Sequence, residues 1–418
     1  MKRGIAIAGL LSVVALATLA APTLTQAQQG APPPSELGVR GKYLAILGDC
    51  ASCHTSKDGA AYAGGRGLNS GFGIIYSANI TPDRETGIGN WSADQFYRAM
   101  HKGIAANDSH LYPAFPYPYF THMTRVDDDA IYAYLRTIPA VHAEAPPNKL
   151  PFPLNIRGLM AIWNALYFSE GAYKPDPTKS AEWNRGAYIV TGPGHCGGCH
   201  TPKNFLMADE NDRALSGNVI DSWFAADLSG EPRAGLASWT AADIEEYLKS
   251  GRNARATASG SMQEVIGLST SRMEDPDRAA IAAYLKDLPP SAPVRQPSAP
   301  DPAAMRAGEA IFVDACSACH LSQGRGQPRF FPPLAGGTAV QSRDATTVLH
   351  IILQGSHSLA TTDKPTPLAM PAFAWKLNDQ QIADVATYIR NSWGNQASQL
   401  DAADVRKLRS DLAKSSGN

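Results

Sequence analysis

All six cysteines of the chain fall in three copies of one pentapeptide, Cys-x-x-Cys-His. The copies are Cys50, Cys53 and His54; Cys196, Cys199 and His200; and Cys316, Cys319 and His320. Two thiols at this spacing can add across the vinyl groups of a haem, and the histidine that follows can bind its iron from one face. A single copy would also suit half of a zinc site or a redox-active cysteine pair. Three copies, each with its histidine, predict three covalently bound c-type haems and therefore electron transfer.

Each iron has a second axial position, and a methionine thioether there suits electron transfer because it raises the reduction potential. Met370 lies fifty residues after His320, shortly before the last predicted helix of its region, and is the predicted ligand of the third haem. For the first haem we predict Met123, with the neighbouring His122 as the alternative. Met100 is predicted to face a helix core instead.

The second haem has two candidate methionines, Met262 and Met273. Internal spacing favours Met273, because Met123 and Met273 each stand twelve residues before a leucine of the next helix, Leu135 and Leu285. The spacing alone leaves both candidates open.

The three haem motifs are embedded in a repeat of helices. A predicted helix with a small residue precedes each motif and an amphipathic helix with a tyrosine closes each region, since apolar residues recur there at helical spacing. The glycines are Gly41, Gly186 and Gly308, and the tyrosines are Tyr134, Tyr284 and Tyr388. We expect each glycine to let the closing helix cross closely. Ser92 and Thr240 are predicted N-caps of a further helix in the first two regions.

The repeat predicts an all-α protein with three tandem haem domains of the cytochrome c type, joined by proline-rich linkers. The predicted segments are 1–27 (signal peptide), 35–139 (first domain), 140–180 (proline-rich linker), 181–289 (second domain), 290–302 (linker), 303–394 (third domain) and 395–418 (C-terminal tail). Because the haem would form much of each core, each domain is expected to depend on it.

Residues 1–27 have the pattern of a signal peptide that is cleaved near Ala27. Lys2 and Arg3 precede an apolar stretch, and Thr25-Gln26-Ala27 ends it as a small-x-small site. Export agrees with haem attachment outside the bacterial cytoplasm. No later stretch has the apolar length of a transmembrane helix, and the balance of 37 Lys and Arg against 38 Asp and Glu gives no sign of nucleic-acid binding.

The first linker contains a conspicuously apolar stretch, residues 152–168. It is too short and too interrupted to cross a bilayer. One interpretation is a connector that packs over the haem domains. The other is a docking surface for a partner or for the membrane face.

Several further motifs resemble one family along essentially the whole mature chain. They are Tyr76-Ser77-Ala78-Asn79-Ile80-Thr81-Pro82-Asp83, Tyr112-Pro113-Ala114-Phe115-Pro116-Tyr117, Gly192-Pro193-Gly194-His195, Phe331-Pro332-Pro333-Leu334-Ala335-Gly336 and Asn391-Ser392-Trp393-Gly394-Asn395. In this combination the chain resembles the three-haem cytochrome c subunit of membrane-bound, quinone-reducing dehydrogenases of acetic acid bacteria and their relatives, which act on alcohols, sorbitol, fructose or gluconate.

The resemblance implies an electron-transfer subunit at the periplasmic face of the inner membrane. A large partner subunit, a flavoprotein or a pyrroloquinoline quinone protein, would oxidise an alcohol, polyol, sugar or sugar acid, and the resemblance allows a small third subunit. The haems would then pass the electrons to ubiquinone, and no catalytic residue for substrate oxidation is expected on this chain. The peripheral membrane association of the family is expected here too.

The resemblance also bears on the methionines. The family's second-haem ligand lies in a Gly-x-Met-x-x-Val motif, which here contains Met262, so the resemblance favours Met262 over Met273. Alcohol-oxidising relatives often have a methionine where this chain has Phe115, as their first-haem ligand. Because Phe115 cannot bind iron, Met123 remains the predicted ligand of the first haem. The same departure favours a flavoprotein partner.

Two other functions fit the same motifs. A free periplasmic electron carrier would lack a stable dehydrogenase partner. A haem enzyme or gas sensor would have one open iron face, and loss of the Met123 ligand would be the route to it.

Overall fold

The computed structural model describes residues 35–291 and 297–415, and these are mainly helical. The predicted signal peptide, 1–27, and part of the predicted linker 290–302 lie outside the described residues. The helices form three successive groups, which we call the first, second and third helix sets, and in each of them the helix before a haem motif packs across a later, closing helix.

The first helix set begins with a helix that ends just before the first haem motif. Its elements are α1 (Glu36–Leu47), α2 (Cys50–His54), β1 (Gly67–Asn69), β2 (Ile74–Tyr76), α3 (Ala93–Lys102), α4 (Tyr117–Phe120) and α5 (Arg125–Leu135). Helix α1 packs across α5. The core between them contains Leu44, Phe96 and Ile131, all of which are buried.

A connecting segment leads to the second set. It contains a 3-10 turn (Arg157–Leu159) and helix α6 (Met160–Tyr167). The second helix set then consists of α7 (Ala181–Thr191), α8 (Gly197–His200), β3 (Asn218–Ile220), β4 (Trp223–Ala225), α9 (Ala241–Ser250), α10 (Ser261–Leu268) and α11 (Asp275–Lys286), with 3-10 turns at Asn211–Arg213 and Thr270–Arg272. Here α7 packs across α11.

The third helix set keeps the first, motif and closing helices, but its hairpin lies after the long middle helix and one helix is added at its end. Its elements are α12 (Pro302–Ala315), α13 (Ser317–His320), α14 (Thr338–Gln341), α15 (Thr346–Gln354), β5 (Ser356–His357), β6 (Ala369–Met370), α16 (Asp379–Asn391) and α17 (Ala402–Ser415). Helix α12 packs across α16. Helix α17 lies in the segment predicted as a tail, yet its Val405, Leu408 and Leu412 are buried in the third core.

Glycine permits the same close helix crossing in all three sets, as predicted. A Cβ at Gly41 would overlap the carbonyl of Ala130, and a Cβ at Gly186 would overlap that of Ala280. At Gly308 the overlapping group is the carbonyl of Asp384. Each pair of helices is therefore in backbone contact, which only a residue without a side chain allows.

The predicted N-caps of α3 and α9 are confirmed. Ser92 and Thr240 each accept a hydrogen bond from the third residue of the helix, whose side chain bonds back in a capping box. Both helices end at a glycine in the left-handed region, Gly103 at φ 62° and Gly251 at φ 73°.

The structure also contains three short antiparallel hairpins that an all-α prediction leaves out. They pair β1 with β2, β3 with β4, and β5 with β6. The first two lie between a haem motif and the next α-helix, with Gly67 opposite Tyr76 and Asn218 opposite Ala225. Strands of two or three residues carry too little alternation to be recognised in a sequence.

Candidate haem-binding sites

Each Cys-x-x-Cys-His motif forms one short helix, α2, α8 or α13, that follows the first helix of its set. One cysteine of each motif, Cys50, Cys196 or Cys316, packs against the core of its set. None of the six cysteines forms a disulfide. Burial raises the pKa of the Cys50 and Cys196 thiols to about 12 and of the Cys199 and Cys316 thiols to about 11. Burial thus disfavours the thiolate form of these four cysteines.

The three motif histidines are oriented in one common way. The Nδ1 of His54 lies 2.7 Å from the carbonyl oxygen of Ala78, and the Nδ1 of His200 lies 2.7 Å from that of Ala226. For His320 the partner is the carbonyl oxygen of Pro332, at 3.3 Å. An Nδ1–H that donates to a carbonyl leaves the lone pair of Nε2 free for a metal, which is the usual support of a metal-binding histidine.

Burial also lowers the pKa of His54, His200 and His320, against the opposing effect of these hydrogen bonds. Neutral imidazoles are the form that binds iron. The donors at each motif, two thiols and one oriented imidazole, therefore fit a covalently attached haem. The carbonyl partners were not predicted from the sequence, because a main-chain acceptor has no residue-type signal. Two of them directly follow the hairpins after the motif.

Met370 and Met262, the predicted ligands of the third and second haems, are both half-buried at the margin of a core. Met370 is in β6, opposite Ser356, and packs against the third core. Met262 is the second residue of α10 and packs against the second core. Each therefore has a face that is not enclosed by its core.

Met123 and Met273 occupy a different position, at the start of the closing helix. Each directly precedes the N-cap residue, Thr124 of α5 or Glu274 of α11, and each is buried, with exposed fractions of 0% and 5%. In the third set the residue at this position is Leu377, which directly precedes the N-cap of α16 and is also buried. The predicted ligand Met123 thus shares its place with a residue that cannot bind iron.

The other candidate donors of the first set have partners or lie in the core. His122 directs Nδ1 to the carbonyl oxygen of Thr191 in the second set, at 2.7 Å. Met100 is buried on α3 in the first core. His110 differs from them, because its Nδ1 is buried and, within the described residues, has no hydrogen-bond partner.

The second helix set contacts both of the others. Towards the first set, Ser269 donates to the carbonyl oxygen of Leu47 at 3.1 Å. Towards the third set, the ring of Trp223 stacks on that of His350, with centroids 3.7 Å apart, and the Nδ1 of His350 lies 2.7 Å from the carbonyl oxygen of Ser222. The second helix set therefore lies between elements of the first and third sets.

The connecting segment packs over the first two sets and also presents an apolar surface. The indole N–H of Trp163 donates to the carbonyl oxygen of Leu206 at 3.0 Å, and the hydroxyl of Tyr117 donates to Asn164 at 2.5 Å. Four large apolar side chains of the segment are exposed, as is Phe205 next to Leu206, and we call these five residues the linker surface: Phe152, Ile156, Ile162, Leu166 and Phe205. The segment thus packs on the helix sets, as one interpretation predicts, and the docking surface of the other interpretation stays a prediction. Among residues 35–291 and 297–415, no helix has the length and hydrophobicity needed to cross a membrane.

Comparison with known proteins gives one family match and several full-length relatives. The family described as Cytochrome c matches residues 305–393. The chain is 40% identical over 420 residues to the cytochrome c subunit of alcohol dehydrogenase (quinone) of Gluconacetobacter polyoxogenes, covering 95% of this chain and 89% of the relative. It is 40% identical to the gluconate 2-dehydrogenase cytochrome c subunit of Pantoea cypripedii, covering 89% of each chain. It is 37% identical to the fructose dehydrogenase cytochrome subunit of Gluconobacter japonicus, covering 96% of this chain and 89% of the relative.

Proposed function

This chain belongs to the family of cytochrome c subunits of quinone-dependent dehydrogenases, an electron-transfer family, and on that premise we propose that it carries electrons from a partner dehydrogenase subunit through three c-type haems to ubiquinone. The observation that carries the proposal is the threefold recurrence of one donor set. Each set has two thiols on a short helix and an imidazole whose Nδ1 points to a main-chain carbonyl.

The haems would be held by the six motif cysteines through thioether bonds and by His54, His200 and His320 through iron. When bound, each haem supplies an iron that takes up and releases one electron. Met262 and Met370 would be the second protein ligands of the second and third haem irons, since both lie at the margin of their core. The corresponding domains are 35–139, 181–289 and 303–394, joined by the linkers 140–180 and 290–302. Helix α17 extends the third domain into the segment 395–418, because it shares the third core.

The contacts between the helix sets support an order for electron transfer. The second set touches the first through Ser269 and the third through Trp223 and His350. The second haem would therefore lie between the other two, and electrons would pass through it.

Substrate oxidation is assigned to the partner subunit. The relatives are subunits of dehydrogenases named for an alcohol, for gluconate and for fructose, yet this chain is 37–40% identical to all three. Similarity along this chain thus does not follow the substrate. A flavoprotein or a pyrroloquinoline quinone protein would provide the electrons, and Phe115 favours the flavoprotein by the resemblance noted above.

The location proposed is the periplasmic face of the inner membrane, with the linker surface against lipid. Between Glu144 and Glu170 the chain has two charged residues, Lys149 and Arg157, and both are basic. Exposed aromatic and aliphatic side chains in a stretch whose charged residues are basic are typical of a surface that binds anionic lipid headgroups.

The test is to tag the C-terminus, solubilise native membranes in mild detergent, and identify the proteins that co-purify by mass spectrometry. A large flavin or pyrroloquinoline quinone dehydrogenase in equal amount, together with reduction of a ubiquinone analogue by its substrate, is the expected result. The cytochrome alone in the soluble periplasmic fraction would contradict the proposal and favour the free electron carrier.

A further inference from the structure

We infer that the first haem iron has no thioether ligand on the face opposite His54, and that this haem is the one that small neutral ligands such as carbon monoxide can reach. The inference rests on the haem attachment at Cys50 and Cys53 in the proposed function. It concerns a property that an electron-transfer subunit does not require.

The first step concerns Met123, the only methionine between the first haem motif and α5 other than Met100. Its side chain has no exposed area, although His54 and Cys50 of the same set are only half-buried. A ligand must share the space beside the motif histidine, as Met262 and Met370 can from their half-buried positions. Met123 instead packs with Phe96 and Ile131 in the first core.

The second step compares Met123 with its counterparts. Met123, Met273 and Leu377 each directly precede the N-cap of a closing helix. Each also lies twelve residues before an apolar residue of that helix, Leu135, Leu285 or Ile389. An apolar side chain at this position packs against the first turns of the helix that follows. Leucine serves equally there, so the position is one of core packing and not of ligation.

The third step locates the position in the first set that matches Met262. Helices α3 and α9 end alike, and the N–H of Leu111 donates to Gly103 just as the N–H of Ala258 donates to Gly251, both at 2.7 Å. Four residues after Ala258 is Met262, and four residues after Leu111 is Phe115. The ring of Phe115 packs against that of Phe120, with centroids 5.3 Å apart, and offers no donor atom.

The fourth step concerns the histidines of the first set. His101 is buried against Asp128, with Nε2 2.7 Å from the carboxylate. His122 is bonded to a carbonyl of the second set. His110 has a buried Nδ1 without a partner in the described structure and is the competing donor, so it enters the test below.

A consequence concerns the potentials. A methionine ligand raises the reduction potential of a haem, so the first haem is expected to have the lowest potential of the three. Its open face would be lined by Phe115, a side chain that neither binds iron nor donates a hydrogen bond.

The experiment uses the full-length protein after mass spectrometry has shown three attached haems. Carbon monoxide is titrated into the dithionite-reduced protein, and the spectral change is compared with the haem content. The expected result is one carbon monoxide per three haems. Phe115→Met is expected to abolish this binding and to raise one midpoint potential, whereas Met370→Leu is expected to add a second binding site. Met123→Leu, a volume-conserving change, is expected to leave both the binding and the three potentials unchanged.

Two results would overturn the inference. If the unaltered protein binds no carbon monoxide and Met123→Leu creates a binding site, Met123 is the ligand. If binding arises only in His110→Ala, an imidazole closes the face. The failure of the proposed function is distinguishable from that of the inference. A peptide with Cys50 and Cys53 but without haem would overturn the proposed function and the inference together. Three attached haems without carbon monoxide binding would overturn the inference alone.

Discussion

Arg66 and Glu264, which are 198 residues apart, form a two-point ion pair between the first and second helix sets. The Nη2 of Arg66 lies 2.8 Å from the Oε2 of Glu264, and the same guanidinium donates to the carbonyl oxygen of Ser52 at 2.5 Å. Ser52 lies inside the first haem motif, and Glu264 follows Met262 by two residues on α10. Gln263, between them, donates to the carbonyl oxygen of His357 in the third set. Three consecutive residues of α10 thus face three different helix sets.

The first prediction is that Arg66→Gln and Glu264→Gln both weaken the proposed binding of Met262 to the iron of the second haem. Either change releases α10 from the first haem motif, so both are expected to lower the midpoint potential of the second haem. The free energy of unfolding should change by less than about 1 kcal/mol, because both side chains are partly exposed to water. The measurement is a spectroelectrochemical titration of each variant and of the double variant. The midpoint potential of the second haem in the double variant should be lowered no more than in the single variant with the larger effect.

Arg329→Gln is the matched control. Arg329 forms a two-point ion pair with Glu246, also between helix sets, but it does not contact α10. It should leave the potentials unchanged. Shifts of opposite sign in Arg66→Gln and Glu264→Gln would show a direct effect of charge on the haem and would contradict a positioning role.

The second prediction concerns the close helix crossings. Gly41→Ala, Gly186→Ala and Gly308→Ala each place a methyl group against a carbonyl of the closing helix, so the helices must separate. Overpacking of this kind costs about 1–3 kcal/mol or more in the free energy of unfolding. Urea unfolding followed by circular dichroism measures it. Gly158→Ala, where nothing lies within 4 Å of the added carbon, is the control, and equal losses in all four variants would contradict the packing argument.

The third prediction concerns pH. Asp128 is fully buried beside His101, and desolvation raises its pKa from 3.8 to about 6, partly opposed by the hydrogen bond from His101. Because the folded state binds this proton more tightly than the unfolded state, the contribution of Asp128 favours folding at low pH and is lost as the pH rises to about 6. The loss is on the order of 3 kcal/mol.

Asp128→Asn keeps a hydrogen-bond acceptor for His101 without the charge. The free energy of unfolding of this variant, measured in urea between pH 4 and 7, is therefore expected to decline less with rising pH than that of the unaltered protein. Asp129→Asn, on the same helix but partly exposed to water, should retain the original slope. Identical slopes in all three proteins would show that Asp128 does not titrate in this range.

The sequence was sufficient for the helix pairs, their glycines and their caps. These depend on helical periodicity and on residue types with strong local preferences, such as Gly41 at a crossing or Ser92 at an N-cap. It was not sufficient for α17, although Val405, Leu408 and Leu412 recur at helical spacing. That helix is stabilised by packing on the third core, which is a tertiary effect.

The site was predictable where side chains define it and not where the main chain does. The cysteines and histidines of the three motifs were found directly. The carbonyl oxygens of Ala78, Ala226 and Pro332 could not be found, because any residue can supply them. The spacing that linked Met123 to Met273 also links both to Leu377, and only the structure gives the three a common place before an N-cap.

The last prediction concerns the linker surface. Phe152 is 80% exposed and Phe205 81% exposed, and Ile162 on α6 is exposed as well. Transfer of one such side chain into lipid contributes about 1.5–3 kcal/mol, so each substitution by serine should weaken binding to vesicles about tenfold or more. Binding should also be tighter to anionic than to zwitterionic lipid, since Lys149 and Arg157, the charged residues between Glu144 and Glu170, are both basic.

The measurement is co-sedimentation of the full-length protein with vesicles of phosphatidylglycerol and phosphatidylcholine. Trp375→Ser is the control, because this tryptophan is 81% exposed but belongs to the third helix set. If Phe152→Ser and Phe205→Ser sediment as the unaltered protein does, while the amount of co-purified dehydrogenase falls, the linker surface binds the partner subunit and not lipid. If neither the sedimentation nor the amount of co-purified dehydrogenase changes, the linker surface binds neither lipid nor the partner subunit. The chain is then attached to the membrane through other residues.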